Sequence, residues 1–307
     1  MTGMKRIYRR ARSLYRDMIH GRRVYVLMYH RVGENSDPGM EKLTVSAENF
    51  ARQLAYFKEH FQPLRIDDDW SRLRKKGVVI TFDDGYAETA ETVVPLLEKY
   101  GIPATFFITT ENLGTGCEFW WDRLAWDFSQ PRKTFSLPDS DVKIFQNKNG
   151  YRSLGEILAT FKNDGKSRWL DAFERLNDLP FKHREPYLAL SRERAAFFSG
   201  HPLIDIGLHT HQHNFLGNMT SGQQRQEWDL SEPELRKVSP SFKPLLAVPY
   251  GSYNQDTIAL AREKNTMLLL ANDRVSRHAD KESGIVGRIL MPDISGESLQ
   301  KYLARFI

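Results

Sequence analysis

The chain has one cysteine, Cys117, in 307 residues. A single thiol forms no internal disulfide, which excludes the stapled architecture of small secreted domains and favours a cytoplasmic setting. Also missing is any stretch approaching the roughly 18–20 consecutive apolar residues that a membrane-spanning helix needs. The N-terminus lacks the apolar run of a signal peptide. A surplus of positive charge is absent from most of the chain. The formal charge is +5, yet residues 1–23 hold eight Lys or Arg (Lys5, Arg6, Arg9, Arg10, Arg12, Arg16, Arg22, Arg23) against Asp17 alone. The remainder has 36 basic and 38 acidic residues, so the body has no general affinity for polyanions. Nor do basic and aromatic residues interleave as in a nucleic-acid surface, and no nucleic-acid partner is expected.

What is present is a sizeable apolar fraction, 40% of residues, enough for one large core or two smaller ones. In the basic segment, Met4, Ile7, Tyr8, Ala11, Leu14, Tyr15, Met18 and Ile19 recur three and four apart, the stripe of an amphipathic helix with arginines opposite. Two readings stand: peripheral contact with an anionic membrane at its inner face, or an ordinary packed helix or basic tail.

Beyond residue 23, buried-strand runs alternate with helical patterns. Val24–Tyr29 (VYVLMY) leads to His30, and Gly77–Phe82 (GVVITF) leads to Asp83, Asp84 and Gly85. Ala104–Thr109, Asp205–Leu208, Leu245–Val248, Thr266–Ala271 and Ile285–Met291 read as further strands. Ser46 is placed to cap a helix with Phe50, Leu54, Phe57 and Phe61 on one face. Helices are also expected over Ala87–Tyr100, ending at Gly101, and over Gln255–Lys264. Such alternation favours a mainly parallel sheet or barrel with helices outside. Residues 117–200 interrupt it with charge-rich helical stretches, a polar loop at 131–150 and a capping-box pattern from Ser153 to Glu156, read as an insertion on one loop. Phe119, Trp120, Trp121 and Trp126 open that insertion, either walling a sugar site or packing it onto the barrel.

Three of these strand ends carry chemistry: His30, the Asp83–Asp84 pair, and His209-Thr210-His211-Gln212-His213. In a βα barrel such ends converge on one mouth. Asp-Asp-Gly alone is equally a turn and helix cap. His209 and His213, four apart, change that balance, because imidazole with carboxylate suits Zn²⁺ or a similar divalent ion and leaves room for a water. His211 is expected to point away.

These residues resemble the polysaccharide deacetylases, carbohydrate esterase family four, related to nodulation-type chitooligosaccharide deacetylases. The motifs are Thr81-Phe82-Asp83-Asp84-Gly85, His209-Thr210-x-x-His213, and Val248-Pro249-Tyr250-Gly251-Ser252-Tyr253, and the resemblance covers most of residues 24–290. It implies a deformed (β/α) barrel of about seven parallel strands over residues 24–307, with the helical insertion at about 117–200. It also implies an N-deacetylase of amino sugars in a glycan or lipid-linked sugar, with Asp83 as general base. Asp84, His209 and His213 would hold one divalent metal, Zn²⁺ favoured over Co²⁺, Ni²⁺ or Mn²⁺. Pro249, Tyr250, Gly251 and Trp121 become candidate substrate contacts, and the Tyr250 backbone N–H a candidate oxyanion donor.

Two departures stand out. The arginine that usually precedes the proline of the third motif is absent from Ala247-Val248-Pro249, and Arg288 on the last strand is the candidate replacement, in or beside the substrate site. The acid histidine usually found near the C-terminus has no counterpart, since only His278 follows His213. Leu27-Met28-Tyr29-His30 instead resembles the circularly permuted bacterial exopolysaccharide deacetylases, making His30 the candidate general acid. Hydrolysis of another C–N bond, such as a formamide, and a retired glycan-binding scaffold remain as alternatives.

Overall fold

The structure is a computed structural model. It describes residue 15 and residues 23–34, 41–161, 165–179 and 183–306. Apart from Tyr15 and Arg23, the expected amphipathic helix of residues 1–23 lies outside the described residues.

Seven parallel strands form a closed ring: β1 (Val24–Tyr29), β2 (Gly77–Phe82), β3 (Ala104–Ile108), β4 (Ile204–Leu208), β5 (Leu245–Ala247), β6 (Met267–Ala271) and β7 (Ile285–Leu290). Each pairs with its neighbours in chain order, and β1 closes the ring by pairing with both β2 and β7. A two-residue strand, Gln62–Pro63, adds beside the start of β2.

The strands are buried on both faces because each contributes alternate residues to two cores. Tyr25, Leu27, Tyr29, Val78, Ile80, Phe82, Phe106 and Ile206 join the helices in the outer core. Val24, Val26, Val79, Phe107, Leu245, Ala247, Leu269 and Val286 fill the barrel interior. The interior parity, carried two residues further along each strand, reaches Met28, Thr81, His209 and Arg288, so the same alternation that fills the barrel also aims the site residues.

Around the ring lie α1 (Ala47–His60), α2 (Thr89–Tyr100), α6 (Arg192–Gly200), α7 (Ser221–Val238), α8 (Gln255–Glu263), the short α9 (His278–Glu282) and α10 (Gly296–Ala304). The intervening α3 (Trp120–Ser129), α4 (Lys148–Leu158) and α5 (Gly165–Leu176) belong to the insertion. Ser46 caps α1 by accepting from the Asn49 N–H at 3.3 Å, and Gly101 ends α2 in the left-handed conformation at φ 61°. Pro95 lies inside α2. No helix among the described residues is long and apolar enough to cross a membrane.

Within the insertion two expectations are corrected. The stretch expected to be a polar loop holds an antiparallel ribbon, Thr134–Ser136 against Lys143–Phe145, and the beginning of α4. Ser153 and Glu156 lie inside α4 rather than at its start. The true cap is Asn147, whose side chain accepts from the Gly150 N–H at 2.9 Å. The alternation of apolar residues there was too weak to mark the ribbon. The insertion has its own core, in which Phe119, Leu124, Phe128, Phe135, Leu154, Leu158, Leu170 and Phe173 are buried together.

Candidate metal centre

Asp84, His209 and His213 come together in a buried cluster at the C-terminal mouth of the ring. His209 Nε2 lies 3.3 Å from Asp84 Oδ1, His213 Nε2 lies 3.4 Å from the same oxygen, and the two Nε2 atoms are 3.1 Å apart. Zinc ligands at about 2.0–2.1 Å in tetrahedral directions are separated by about 3.3 Å, so this triangle has the size of three of four ligand positions.

The electronics agree. The Ala247 carbonyl, 2.8 Å from His209 Nδ1, can only accept, which places the ring proton on Nδ1 and turns the Nε2 lone pair toward Asp84. Burial lowers the His209 pKa, but the Asp83 and Asp84 carboxylates outweigh it and the imidazole is raised overall. The site therefore attracts positive charge. His213 is held well below its ordinary value by burial and by His209 and Lys166, which keeps it neutral as a ligand must be. Asp84 Oδ1 is buried without a hydrogen-bond partner, an orphan that a bound cation would satisfy.

Backbone strain is concentrated at this rim. Asp84 (φ 72°), Thr210 (62°), His213 (54°) and Tyr250 (56°) all adopt left-handed conformations without being glycine. Such residues cost on the order of 1–3 kcal/mol each and persist only where surrounding bonds impose them. For the histidine loop those bonds are identifiable. The Thr210 hydroxyl accepts from the His213 N–H at 3.0 Å, and Glu227 on α7 accepts from the N–H groups of His211 and Gln212 at 2.9 and 2.8 Å. Lys166 on α5, buried, donates to the Gln212 carbonyl and to Asn214 Oδ1, both at 2.7 Å. Burial lowers Lys166 to about 8 against the opposing pull of Glu111 and Glu227. The insertion therefore takes part in shaping the histidine loop, a role no motif announced. His211 turns away and bonds Thr110 at 3.0 Å through Nδ1.

Asp83, next to the cluster, faces Arg288. The guanidinium donates two parallel bonds, Nη1 to Oδ1 at 2.6 Å and Nη2 to Oδ2 at 2.7 Å, while Nη1 also reaches Thr81 Oγ1 at 3.2 Å. Both partners are buried. Burial alone would raise the Asp83 carboxyl, but Arg288, His209 and His30 outweigh it and bring it to about 2. Arg288 itself is not among the residues lining the cleft and has zero exposure, so it is no substrate contact.

The cleft above the cluster has a volume of about 610 Å³, within the range of small-molecule sites. His30 lines it together with Asp83, Asp84, His209 and His213, and His30 Nδ1 is buried without a partner. Trp121 and Tyr250 also line it. The Trp121 ring lies 4.6 Å from that of His213 and stacks on Phe119 at 4.7 Å. Its Nε1 donates to Tyr86 Oη, which donates to Asp122, both at 2.8 Å. Tyr250 packs edge-on to His213 at 4.7 Å and stacks on Phe215 at 3.9 Å. His213 is thus held between two aromatic side chains, one from the insertion and one from the third motif. Pro249 and Gly251 do not line the cleft; they form the turn that presents Tyr250. Sequence reasoning missed Lys148, Tyr151, Arg152, Gly155 and Phe215, all on the cleft wall. For the first four the only advance signal was the charge-rich insertion, and Phe215, beyond it, had none.

Ring and cluster together define the class of protein: a (β/α) barrel whose mouth gathers three side chains that could hold a cation, beside an aspartate gripped by an arginine. A model of the polysaccharide deacetylase family matches residues 71–133 and 195–268, stepping over much of the insertion, so these two stretches are similar to that family. A Staphylococcus aureus poly-beta-1,6-N-acetyl-D-glucosamine N-deacetylase is 31% identical over 105 residues, which cover 29% of this chain and 36% of that relative. A Bacillus subtilis relative described as a polysaccharide deacetylase is 29% identical over 96 residues, covering 29% of this chain and 33% of its own length. The chain thus spans about a third of the length of these curated relatives. Among solved structures, IcaB from Ammonifex degensii superposes with a TM-score of 0.60 at 18% identity, over 94% of this chain and 97% of that one. The Streptococcus pyogenes deacetylase PplD superposes with a TM-score of 0.58 at 20% identity, over 91% and 97%. At these identities the structures speak for the fold.

Proposed function

We propose that the protein is a metal-dependent N-deacetylase of amino sugars in a polysaccharide, and that N-acetylglucosamine is the sugar it acts on. The Asp83–Arg288 pair beside the Asp84–His209–His213 cluster carries this reading. A retired binding scaffold has no use for a buried carboxylate kept ionised next to an electron-rich cation site. The name of the staphylococcal relative favours an acetyl over a formyl group.

Asp84, His209 and His213 would hold a divalent ion, zinc by the donor set, which when bound would supply Lewis acidity and bring the pKa of a water toward about 7. Asp83 is the proton acceptor. Arg288 occupies both of its oxygens from below, fixing the plane of the carboxylate and holding it charged at neutral pH. His209 keeps its Nε2 lone pair toward the cluster because Ala247 holds the Nδ1 proton. His30, from the end of β1, delivers a proton to the departing amine, which leaves poorly as an anion. The left-handed Tyr250 offers its backbone N–H to the developing oxyanion, a donor of a kind that contributes about 3–4 kcal/mol when well aimed.

The test is Asp83→Asn with bound zinc and acetate release measured on the same sample. Retained zinc with acetate release lost by about 10²-fold or more is expected. Unchanged release would remove Asp83 from the chemistry. A membrane role for residues 1–23, with a lipid-linked substrate at the cytoplasmic face, is a separate proposal resting on their charge and periodicity alone. Deleting them should abolish binding to anionic vesicles while leaving turnover of a soluble oligosaccharide.

A further inference from the structure

Helix α4 of the insertion carries two glycines with opposite surroundings. A methyl group at Gly150 would meet the Phe145 carbonyl oxygen at 2.2 Å, Ile144 at 3.2 Å and Phe128 at 3.3 Å. Packing therefore excludes any side chain there. A methyl group at Gly155 would meet nothing within 4 Å. Glycine inside a helix costs about 1 kcal/mol relative to alanine, and at Gly155 no neighbour in the folded chain demands it.

The empty space lies on the cleft side. Gly155 lines the cleft with Lys148, Tyr151, Arg152 and Ala159, and the spacing of three, four, seven and eleven from Lys148 makes them one stripe of the helix. Gly150, Leu154 and Leu158 on the other side are buried in the insertion. The stripe shares its cleft with His30, Asp83 and the three-residue cluster. Arg152 spends its Nε on Glu156 at 3.0 Å, and both side chains are mostly exposed.

We propose that α4 is the wall that selects the glycan: the space beside Gly155 seats the ring of a sugar residue adjoining the acetylated one. Tyr151 gives that ring an apolar face, and Lys148 and Arg152 give donors to its hydroxyls. The inference rests on the deacetylase reading above, in that the residue at the metal is taken to be an acetylated amino sugar.

The experiment compares wild type, Gly155→Leu and Ile157→Gln, the last on the exposed side of the same helix and outside the cleft. Leucine raises helix propensity, so loss of fold is not expected, and thermal melting checks it. Binding of β-1,6- and β-1,4-linked N-acetylglucosamine pentamers is measured by calorimetry on the zinc-loaded proteins. Acetate release from the pentamers and from 4-nitrophenyl acetate is followed in parallel. Gly155→Leu should weaken pentamer binding by about tenfold or more, with KM rising and kcat little changed. Ester turnover should fall far less, and Ile157→Gln should match wild type. Equal pentamer binding by Gly155→Leu and wild type would overturn the proposal, as would parallel loss of pentamer and ester turnover, which would place the effect at the metal. Should wild type bind a pentamer without releasing acetate, the deacetylase reading fails while the binding comparison still decides the role of α4. Absence of pentamer binding by wild type would overturn the role of α4 even if ester turnover persists.

Discussion

Arg288 grips Asp83 through two parallel hydrogen bonds of 2.6 and 2.7 Å, from opposite sides of β1. The pair is buried, and neither charge has water to fall back on. Replacing Arg288 with Met leaves an unpaired buried carboxylate, expected to cost about 3–5 kcal/mol. Asp83 would then take up a proton near neutral pH and lose its role as base, lowering kcat by about 10²-fold or more. Denaturant unfolding and acetate release measure the two effects. Adding Asp83→Asn to Arg288→Met should recover much of the stability and none of the activity, since it removes the stranded charge.

His213 is held at its Nε2 by the cluster and at its ring faces by Trp121 and Tyr250. His213→Ala is expected to abolish stoichiometric zinc in the purified protein, read by elemental analysis. Chelation of wild type should lower its melting temperature. Zinc restored at about 100 times its Kd should return about 2.7 kcal/mol, and the same addition should leave His213→Ala unmoved.

His30 is assigned to the leaving group, so its importance depends on how badly that group leaves. His30→Asn should lower acetate release from an N-acetylated pentamer by about 10²-fold. Turnover of 4-nitrophenyl acetate, whose phenolate departs without a proton, should fall much less. Equal losses on both substrates would place His30 elsewhere in the mechanism.

Asp127, buried in the insertion beside Glu174, is raised to about 8, chiefly by burial and then by Glu174. In the unfolded chain it ionises near 3.9. Between these values the native state keeps a proton that the unfolded state releases, so the contribution of Asp127 to stability falls as pH rises from about 4 to about 8. Asp127→Asn removes that dependence. Its stabilising effect, measured by thermal melting, should be greater at pH 9 than at pH 5 by on the order of 4 kcal/mol. A pH-independent difference would show that Asp127 does not titrate in this range.

Much of this architecture is legible in local sequence, for reasons that differ by element. The runs Val24–Tyr29 and Gly77–Phe82 appear as strands with the expected bounds because a strand buried on both faces must be apolar at every position. His209 and His213 stood out by ligand type and a spacing of four, the resemblance added Asp84, and the structure places the three donor atoms within 4.8 Å of one another. The insertion was far less legible. Its ribbon at Thr134–Ser136 and the Asn147 cap of α4 depend on a small core assembled from residues up to about a hundred positions apart.

By itself the sequence determined the barrel strands, the Ser46 cap and the Gly101 stop, all set by interactions within a few residues, and it offered Asp84, His209 and His213 as candidate donors. Tertiary structure decided what surrounds them. Closure of the ring joins β7 to β1 and brings Arg288 under Asp83, 205 residues away in the chain. The fold of the insertion sets Trp121 against His213, Lys166 under the histidine loop, and the open side of Gly155 toward the cleft. No periodicity encodes such contacts, because each depends on where two distant elements meet once the barrel has closed.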